Sequence, residues 1–297
     1  MSTEITTGFS EEFSSNVNLL SQQLDTRLRG SVTVESKTGK SAQMINQVGI
    51  QAAQKRTTRH SDTPILNTPH DSRWVFPVDY EWGDLIDKQD DVGVRSIASF
   101  EGPYARTAAS ALNRAIDSEI MSAFFSDTTK TGEDAGTTTS WSAFVSANAG
   151  HQIAHGSGGL TTTKIRQGLK ALRAANVDLT MEPVFMAITS EQIEDLQSDS
   201  NYIDYDFTAI RAFDAPAGEI KPFLGVNFIH YEDVTYSSST WSCPMWVPSG
   251  MGLGVFDDIK GRIEDRADKS FATQVYACGT FGATRLEEKK IVEIQCQ

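Results

Sequence analysis

Two histidines with the spacing of metal ligands are the first residues that could carry chemistry. His151 and His155 lie four residues apart, as the two zinc ligands of a metalloprotease helix do. Residue 152 is glutamine, so the glutamate that would act as general base is missing, and the neighbouring glycines favour a loop over a helix. A chance pair in a loop is the preferred interpretation, and a metal-dependent enzyme that uses His151 and His155 is kept as an alternative.

A partial phosphate-loop pattern and a pair of acids give weaker signals. Gly39-Lys40-Ser41 ends like a phosphate-binding loop, but Val34 occupies the position where the pattern needs its first glycine. Asp257 and Asp258 lack the surrounding pattern of a calcium loop. The three cysteines form no C-x-x-C pair and resemble neither a disulfide framework nor a zinc site. The sequence therefore predicts no catalytic, cofactor-binding or metal-binding site, and we do not expect an enzyme.

Charge and aromatic residues are unevenly distributed along the 297 residues. The net charge of −13 argues against a protein that grips nucleic acid with a broad basic face. Residues 1–60 carry seven basic and five acidic side chains, whereas residues 61–297 carry 19 and 34. The sixty residues between Phe13 and Trp74 contain no aromatic side chain, so this segment is a poor candidate for a core of its own. A disordered tail is one interpretation; the other is an arm that needs a partner surface, such as another copy of the protein.

Hydrophobic periodicity predicts an α+β fold. The clearest element is an amphipathic helix from Tyr104 to Phe125, with Pro103 suited to its first turn. Glycines at 250, 252 and 254 favour a bend or bulge between strands. No stretch approaches the 18 apolar residues of a membrane-spanning helix. The other expected elements are helices at 14–29, 163–176 and 189–196, an extended hairpin at 31–72, loops and short strands at 126–160, and strands at 183–188, 223–230, 247–256 and 271–294.

The order of these elements resembles the major capsid proteins of tailed bacteriophages, which have the Hong Kong 97-type fold. The resemblance rests on residues 63–82, 103–125, 160–177, 183–196 and 222–229 taken as an ordered series. It implies an N-terminal arm, an extended β-hairpin loop, a peripheral domain with a long spine helix, and an axial domain. The implied boundaries are 1–30 for the arm, 31–75 for the loop, 76–149 for the peripheral domain with its spine helix at about 103–126, 150–245 for the axial domain, and 246–297 for the return strands of the peripheral domain.

The resemblance also implies a function. The protein would be a structural subunit that self-assembles as hexamers and pentamers into an icosahedral head, enclosing double-stranded DNA without sequence-specific binding. It would be assembled in the bacterial host cytoplasm and located in the virion, with no membrane contact. About 30 residues precede the hairpin, too few for a built-in scaffold. Besides many copies of itself, the expected partners are therefore a separate scaffolding protein, a portal and a decoration or cement protein.

The charge asymmetry indicates which side chains would meet neighbouring copies. We expect the cations of the basic arm and hairpin to pair with acids on neighbouring bodies. An encapsulin-type compartment shell with protein cargo is the alternative within the fold, and a tail or adhesin component is a third possibility. The candidate inter-subunit residues are Arg27, Arg29, Lys55, Arg56 and Arg59, together with Trp74, where the aromatic-rich body begins.

Overall fold

A computed structural model describes residues 22–59, 62–63, 65–86, 101–199 and 222–297. Over these residues the chain is a mixed α+β structure, as predicted. The expected helix at 14–29 lies partly outside the described residues. The four helices of the described part are α1 (Glu101–Phe124), α2 (Trp141–Ala147), α3 (Thr162–Ala174) and α4 (Ser190–Ser198).

The strands of the described part form three sheets. Their orders are β1-β12-β13-β4, then β7-β14-β11-β8-β9 with β10 beside β11, and β2-β3-β5-β6. The strands are β1 (Thr33–Ser36), β2 (Ala42–Val48), β3 (His70–Val75), β4 (Val78–Ile86), β5 (Thr129–Thr131), β6 (Thr137–Thr139), β7 (Gln152–Ile153), β8 (Val184–Ile188), β9 (Val226–His230), β10 (Tyr236–Ser237), β11 (Thr240–Trp246), β12 (Met251–Arg266), β13 (Ala272–Arg285) and β14 (Ile291–Cys296).

The chain divides into two compact units. The smaller unit comprises, within the described residues, 22–25, 79–86, 101–115 and 259–279. In its core, Ala108 and Leu112 of α1 pack with Ala277 of β13. Asn113 and Arg114 of the helix hold the start of the described chain, because their side chains donate hydrogen bonds to the backbone oxygens of Leu24 and Gln23.

The larger unit contains residues 26–78, 116–258 and 280–297 where they are described. The stripe predicted for the long helix is confirmed here, since Ile116, Ile120 and Phe124 are all buried. The ring of Phe124 lies 4.7 Å from that of Trp246 on β11. Aromatic burial of this kind contributes a large share of core stability, so the second half of α1 is fixed to the six-stranded sheet.

The N-terminal segment from residue 26 to β2 packs on the larger unit although it has no aromatic residue. Leu28, Val32 and Met44 are buried, and β1 pairs in parallel with residues 252–255 of β12. The bend expected at the glycine run is found at Gly250, in the 3-10 turn between β11 and β12, but it is wrong for Gly252 and Gly254, which lie within a continuous strand. A Cβ atom at either glycine would come within 3 Å of a side chain from β2 or β3, so the glycines allow close packing of this segment.

The buried carboxylate of Asp117 anchors the arm to α1. Its Oδ2 accepts the backbone N–H of Arg27 at 2.8 Å, and its Oδ1 accepts that of Leu28 at 3.1 Å. Residues 22–28 are consequently not helical, and the part of the predicted 14–29 helix that is described is wrong. The leucine spacing predicted a helix, but a tertiary acceptor takes the N–H groups that a helix would use internally.

Arg285 donates hydrogen bonds to the carbonyl groups at the C-terminal end of α1. Its buried Nη1 donates to the carbonyl oxygens of Phe124 and Ser126 at 3.1 and 2.6 Å, and Nη2 donates to that of Thr139 at 3.3 Å. The guanidinium also lies 5.6 Å from the centre of the Trp141 ring. Burial lowers the pKa of Arg285 to about 10, which leaves it protonated at neutral pH. A cation at a helix C-terminus satisfies carbonyl groups that have no intrahelical donor.

The three helices after α1 differ in how well the sequence predicted them. Helix α3 is confirmed, with Thr161 as its N-cap, and α4 is preceded by the expected capping box at Thr189 and Gln192. Helix α2 was missed within the segment expected to be loops and short strands. Its signal was local, because the Ser140 hydroxyl accepts the backbone N–H of Ala143 and so caps the helix.

Replacing Asp117 by alanine tests the anchor of the arm. We expect Asp117→Ala to lower the free energy of unfolding by about 1–3 kcal/mol, because two backbone N–H groups lose their acceptor. Tryptic cleavage after Arg27 and Arg29 should become faster. Urea unfolding and timed proteolysis measure the two effects. Ser118→Ala, at an exposed position of the same helix, is the matched control and should change neither.

Replacing Arg285 by methionine tests the closure of α1. Arg285→Met keeps much of the side-chain volume but leaves several buried carbonyl groups without a donor, so we expect a loss of about 3 kcal/mol in the free energy of unfolding. Arg262→Met, on an exposed part of β12, should be near neutral. Equal stability of the two variants in urea unfolding would contradict the proposed role of Arg285.

Candidate functional site

The described residues that connect β2 to β3 are exposed, except Gly49 and Thr68, which are half-buried. The two ends of this connection meet, since the backbone N–H of Gly49 donates to the carbonyl of Pro69 at 2.8 Å. The side chain of Gln51 donates to the carbonyl of Asn67 at the same distance. We call residues 49–69 the projecting loop; it begins as a closed pair of chain segments next to a well-packed hairpin.

Large apolar side chains lie exposed at the base of the projecting loop. Val48 is 64% exposed, Ile50 90% and Ile65 97%. Fully burying one isoleucine side chain contributes about 1.5–3 kcal/mol. A partner that covered these side chains would therefore gain a substantial binding free energy. Neighbouring exposed apolar residues of this kind are typical of an interaction surface.

Three of the predicted contact residues form a basic cluster on the projecting loop. Lys55, Arg56 and Arg59 are exposed, and we call them the loop basic cluster. The Arg56 Nε donates to the carbonyl of Thr58 at 3.1 Å, so this guanidinium is bonded within the loop. Within the described part of the chain, no acidic side chain lies within ion-pair distance of the three.

Arg27 and Arg29, by contrast, have partners within their own subunit. Arg27 donates to the carbonyl oxygen of His230 at 2.5 Å and to its Nδ1 at 3.0 Å, while the Nε2 of His230 donates to Glu232 at 2.5 Å. Burial raises the pKa of Glu232, but hydrogen bonds from His230 and Ser190 lower it more, so that it lies below its ordinary value. Arg29 lies 3.5 Å from Asp258. Contacts of either arginine with a neighbouring copy remain a prediction.

Trp74 is half-buried and hydrogen-bonded at its polar end. Its indole N–H donates to the carbonyl of Gly132 at 2.8 Å, which joins β3 to the turn after β5. The ring also lines a cavity of about 240 Å³ together with Phe76, which is 43% exposed. A role for Trp74 between subunits likewise remains a prediction.

The histidine pair does not form a metal site in the described structure. His151 is buried, and its Nδ1 lies 2.9 Å from the carbonyl oxygen of Ile291, while its ring meets Phe144 edge-on. His155 bonds instead to the backbone N–H of Ser157 within its own loop. Among the described residues, no group of three or more His, Cys, Asp or Glu side chains is placed to hold a metal ion. No helix in that part of the chain is long and apolar enough to cross a membrane.

A buried ionic group that the sequence analysis missed lies below the base of the hairpin. Arg73 donates to Asp71 at 2.8 Å, to Glu288 at 2.9 Å and to the carbonyl of Leu286 at 3.1 Å. Arg73 lies between the expected hairpin, which ended at residue 72, and the aromatic-rich body that begins at Trp74, and it was assigned to neither. Its second acidic partner, Glu288, lies more than two hundred residues away, so no local pattern could have identified that pair.

The sequence matches the phage capsid protein family over residues 5–297. This match covers nearly the whole chain, including every element described above. A comparison with curated protein sequences found no match.

Solved capsid structures have the same fold. The capsid of cyanophage P-SCSP1u is similar with a TM-score of 0.73 and 15% identity, covering 100% of this chain and 95% of that one. The cyanophage Pam1 capsid gives 0.72 and 13%, covering 98% and 97%. The structure titled Mycobacterium phage Che8 gives 0.68 and 18%, covering 96% and 97%.

These comparisons support neither the encapsulin-type shell nor the metal-dependent enzyme that the sequence left open as alternatives. At these low identities, the similarity to solved capsid structures establishes only the fold. The family match establishes that the chain is a phage capsid protein. The chain belongs to the phage capsid protein family, and it is a structural, non-enzymatic subunit of a phage head.

Proposed function

We propose that this subunit assembles through its projecting loop and arm, which bind neighbouring copies as hexamers and pentamers close an icosahedral head. The observation that carries the proposal is the projecting loop, which combines exposed isoleucines with cations that have no acidic partner in the described chain. Assembly would bury the apolar groups and neutralise the cations, and closed symmetry leaves no copy with a free binding surface.

The proposed domain organisation follows the expected boundaries, with one refinement. The arm is 1–30, the extended loop 31–75, the peripheral domain 76–149, the axial domain 150–245 and the return strands 246–297. Within the extended loop, β1, β2 and β3 bury Met44 and Val75 against the same subunit. The part that reaches a neighbour is therefore the projecting loop, residues 49–69.

The further partners proposed are a separate scaffolding protein, a portal and a decoration or cement protein, with assembly in the bacterial host cytoplasm. The net charge of −13 supports a shell that surrounds DNA without gripping it, since like charges repel the phosphate backbone. No sequence-specific contact with DNA is proposed.

Removing the projecting loop tests its role in assembly. We expect a subunit in which residues 50–68 are replaced by Asn-Gly to stay folded, because the backbone hydrogen bond between Gly49 and Pro69 already brings the ends together and this dipeptide suits a tight turn. Circular dichroism and urea unfolding should be close to those of the intact protein. Electron microscopy should find no closed shells.

A second variant separates the apolar contribution from loop length. Ile50→Ser combined with Ile65→Ser keeps every residue of the loop but removes its two most exposed isoleucines, and it should lower shell yield while leaving subunit stability unchanged. Normal shells from the deletion variant would refute the assembly role of the loop.

Charge reversal tests the loop basic cluster. We expect Arg56→Glu with Arg59→Glu to reduce shell yield several-fold and to lower the salt concentration that assembled shells withstand, because attractive contacts become repulsive. Lys170→Glu with Arg173→Glu, at exposed positions of α3, makes the same change in net charge elsewhere. Equal yields from the two double variants would show that net charge, and not the location of these cations, controls assembly.

A further inference from the structure

Two of the three cysteines lie on neighbouring strands of the six-stranded sheet. Strands β11 and β14 are antiparallel, with Cys243 opposite Ile294 and Cys296 opposite Trp241. Residues two apart on a strand point to the same face of a sheet, so the side chains of Cys243 and Cys296 share one face as diagonal neighbours. The third cysteine, Cys278, is half-buried on β13 in the smaller unit. The fold thus brings one specific pair of thiols together.

Helix α3 covers this face of the sheet and places a cation beside the end of β14. A Cβ atom at Gly168 of the helix would lie 3.4 Å from the Cδ1 of Ile294. The buried Lys164, one turn earlier, donates from its Nζ to the carbonyl oxygen of Gln295 at 3.0 Å and to two further backbone carbonyls. A cation near a thiol favours its ionised form.

The two thiols differ in acidity because of these neighbours. A hydrogen bond with Cys243 lowers the pKa of Cys296, and the charge of Lys164 acts in the same direction, although burial and Asp195 oppose it. The same hydrogen bond and complete burial raise the pKa of Cys243. The thiolate is the reactive form of cysteine, so Cys296 is the nucleophile of the pair. Both side chains are fully buried, so a reagent reaches them only when the end of β14 opens locally.

We propose that Cys243 and Cys296 form a disulfide within one subunit when the capsid meets a small two-electron oxidant, such as hydrogen peroxide. The Cys296 thiolate attacks the peroxide, so that an S–O bond forms, the O–O bond breaks and hydroxide leaves as water after taking up a proton. The sulfur of Cys243 then attacks that of Cys296. The S–S bond forms, the S–O bond breaks, and the departing hydroxide takes the Cys243 proton. Two thiols and one peroxide thus give a disulfide and two waters.

The bond requires a small movement at one end of the strand pair. Diagonal neighbours lie about 7–8 Å apart between Cα atoms, whereas disulfides span up to about 6.8 Å. The required approach falls on the last pair of the ladder, Trp241 with Cys296. A disulfide here would tie β14 covalently to β11 and constrain the unfolded chain. Disulfides persist on virions outside reducing compartments, so the bond would stabilise the subunit after release of the particle.

Peptide mapping after oxidation tests the proposal. The intact protein, as subunits and as shells, is treated with hydrogen peroxide under native conditions, alkylated and digested with trypsin. We expect residues 212–260 to be joined to residues 291–297, with a mass two hydrogen atoms below the sum of the thiol forms, and Cys278 to be alkylated. The oxidised subunit should unfold at a higher urea concentration, and dithiothreitol should reverse this shift. Cys278→Ser is the matched control and should behave like the wild type, whereas Cys296→Ser should show neither effect.

The wild-type peptide map decides the outcome even if Cys296→Ser does not fold. Three alkylated thiols after native oxidation would overturn the proposal, provided that the same peroxide oxidises the protein in urea. Oxidation that ends at a sulfinic acid on Cys296, or disulfides that involve Cys278, would overturn it as well. The proposal concerns a single subunit, so the result on subunits stands whether or not the projecting loop acts in assembly.

Discussion

The path of the chain at the N-terminal end of the larger unit depends on one buried carboxylate, which holds the arm against α1. Asp117 lies within α1 and accepts two consecutive backbone N–H groups from the arm. This geometry places Leu28 in the core and directs the chain toward Ser31, whose carbonyl accepts the indole N–H of Trp246 at 2.8 Å. The chain then pairs with β12. A segment with little apolar surface of its own is therefore held by directional bonds to a preformed helix and sheet.

Buried arginines perform a comparable task elsewhere in the larger unit. Arg285 satisfies the carbonyl groups that end α1, and Arg73 joins the hairpin to the turn that precedes β14. Charged groups are costly to bury unless each is well bonded, and here nearly every polar atom has a partner. Among the described residues, two buried side-chain atoms have no hydrogen-bond partner, the Nε of Arg285 and the Oε1 of Glu288.

The sequence predicted the elements whose signals are local. The stripe of α1, the N-cap of α3 and the capping box before α4 each depend on residues a few positions apart, and all three were confirmed. The irregular path of residues 22–28 and the packing role of Gly252 and Gly254 depend on partners far along the chain. Periodicity carries no information about such partners, which explains why a helix and a bend were predicted there instead.

The candidate contact residues were predicted less completely. Composition and charge singled out the basic arm and loop, but could not separate Arg27 and Arg29, which bond within their own subunit, from the loop basic cluster, which has no acidic partner in the described chain. The buried pair of Glu288 with Arg73 was not predicted, because its two residues meet only after distant segments have packed together.

The position of β14 in its sheet has a consequence for synthesis. Residues 291–296 lie between β7 and β11, so the six-stranded sheet has a gap until they arrive. The arm must likewise wait for Trp246 and for the strand that begins at residue 251. A nascent chain that stops short of β14 cannot complete this core while it is still on the ribosome. The order of translation thus leaves the six-stranded sheet incomplete until residues 291–296 have been made.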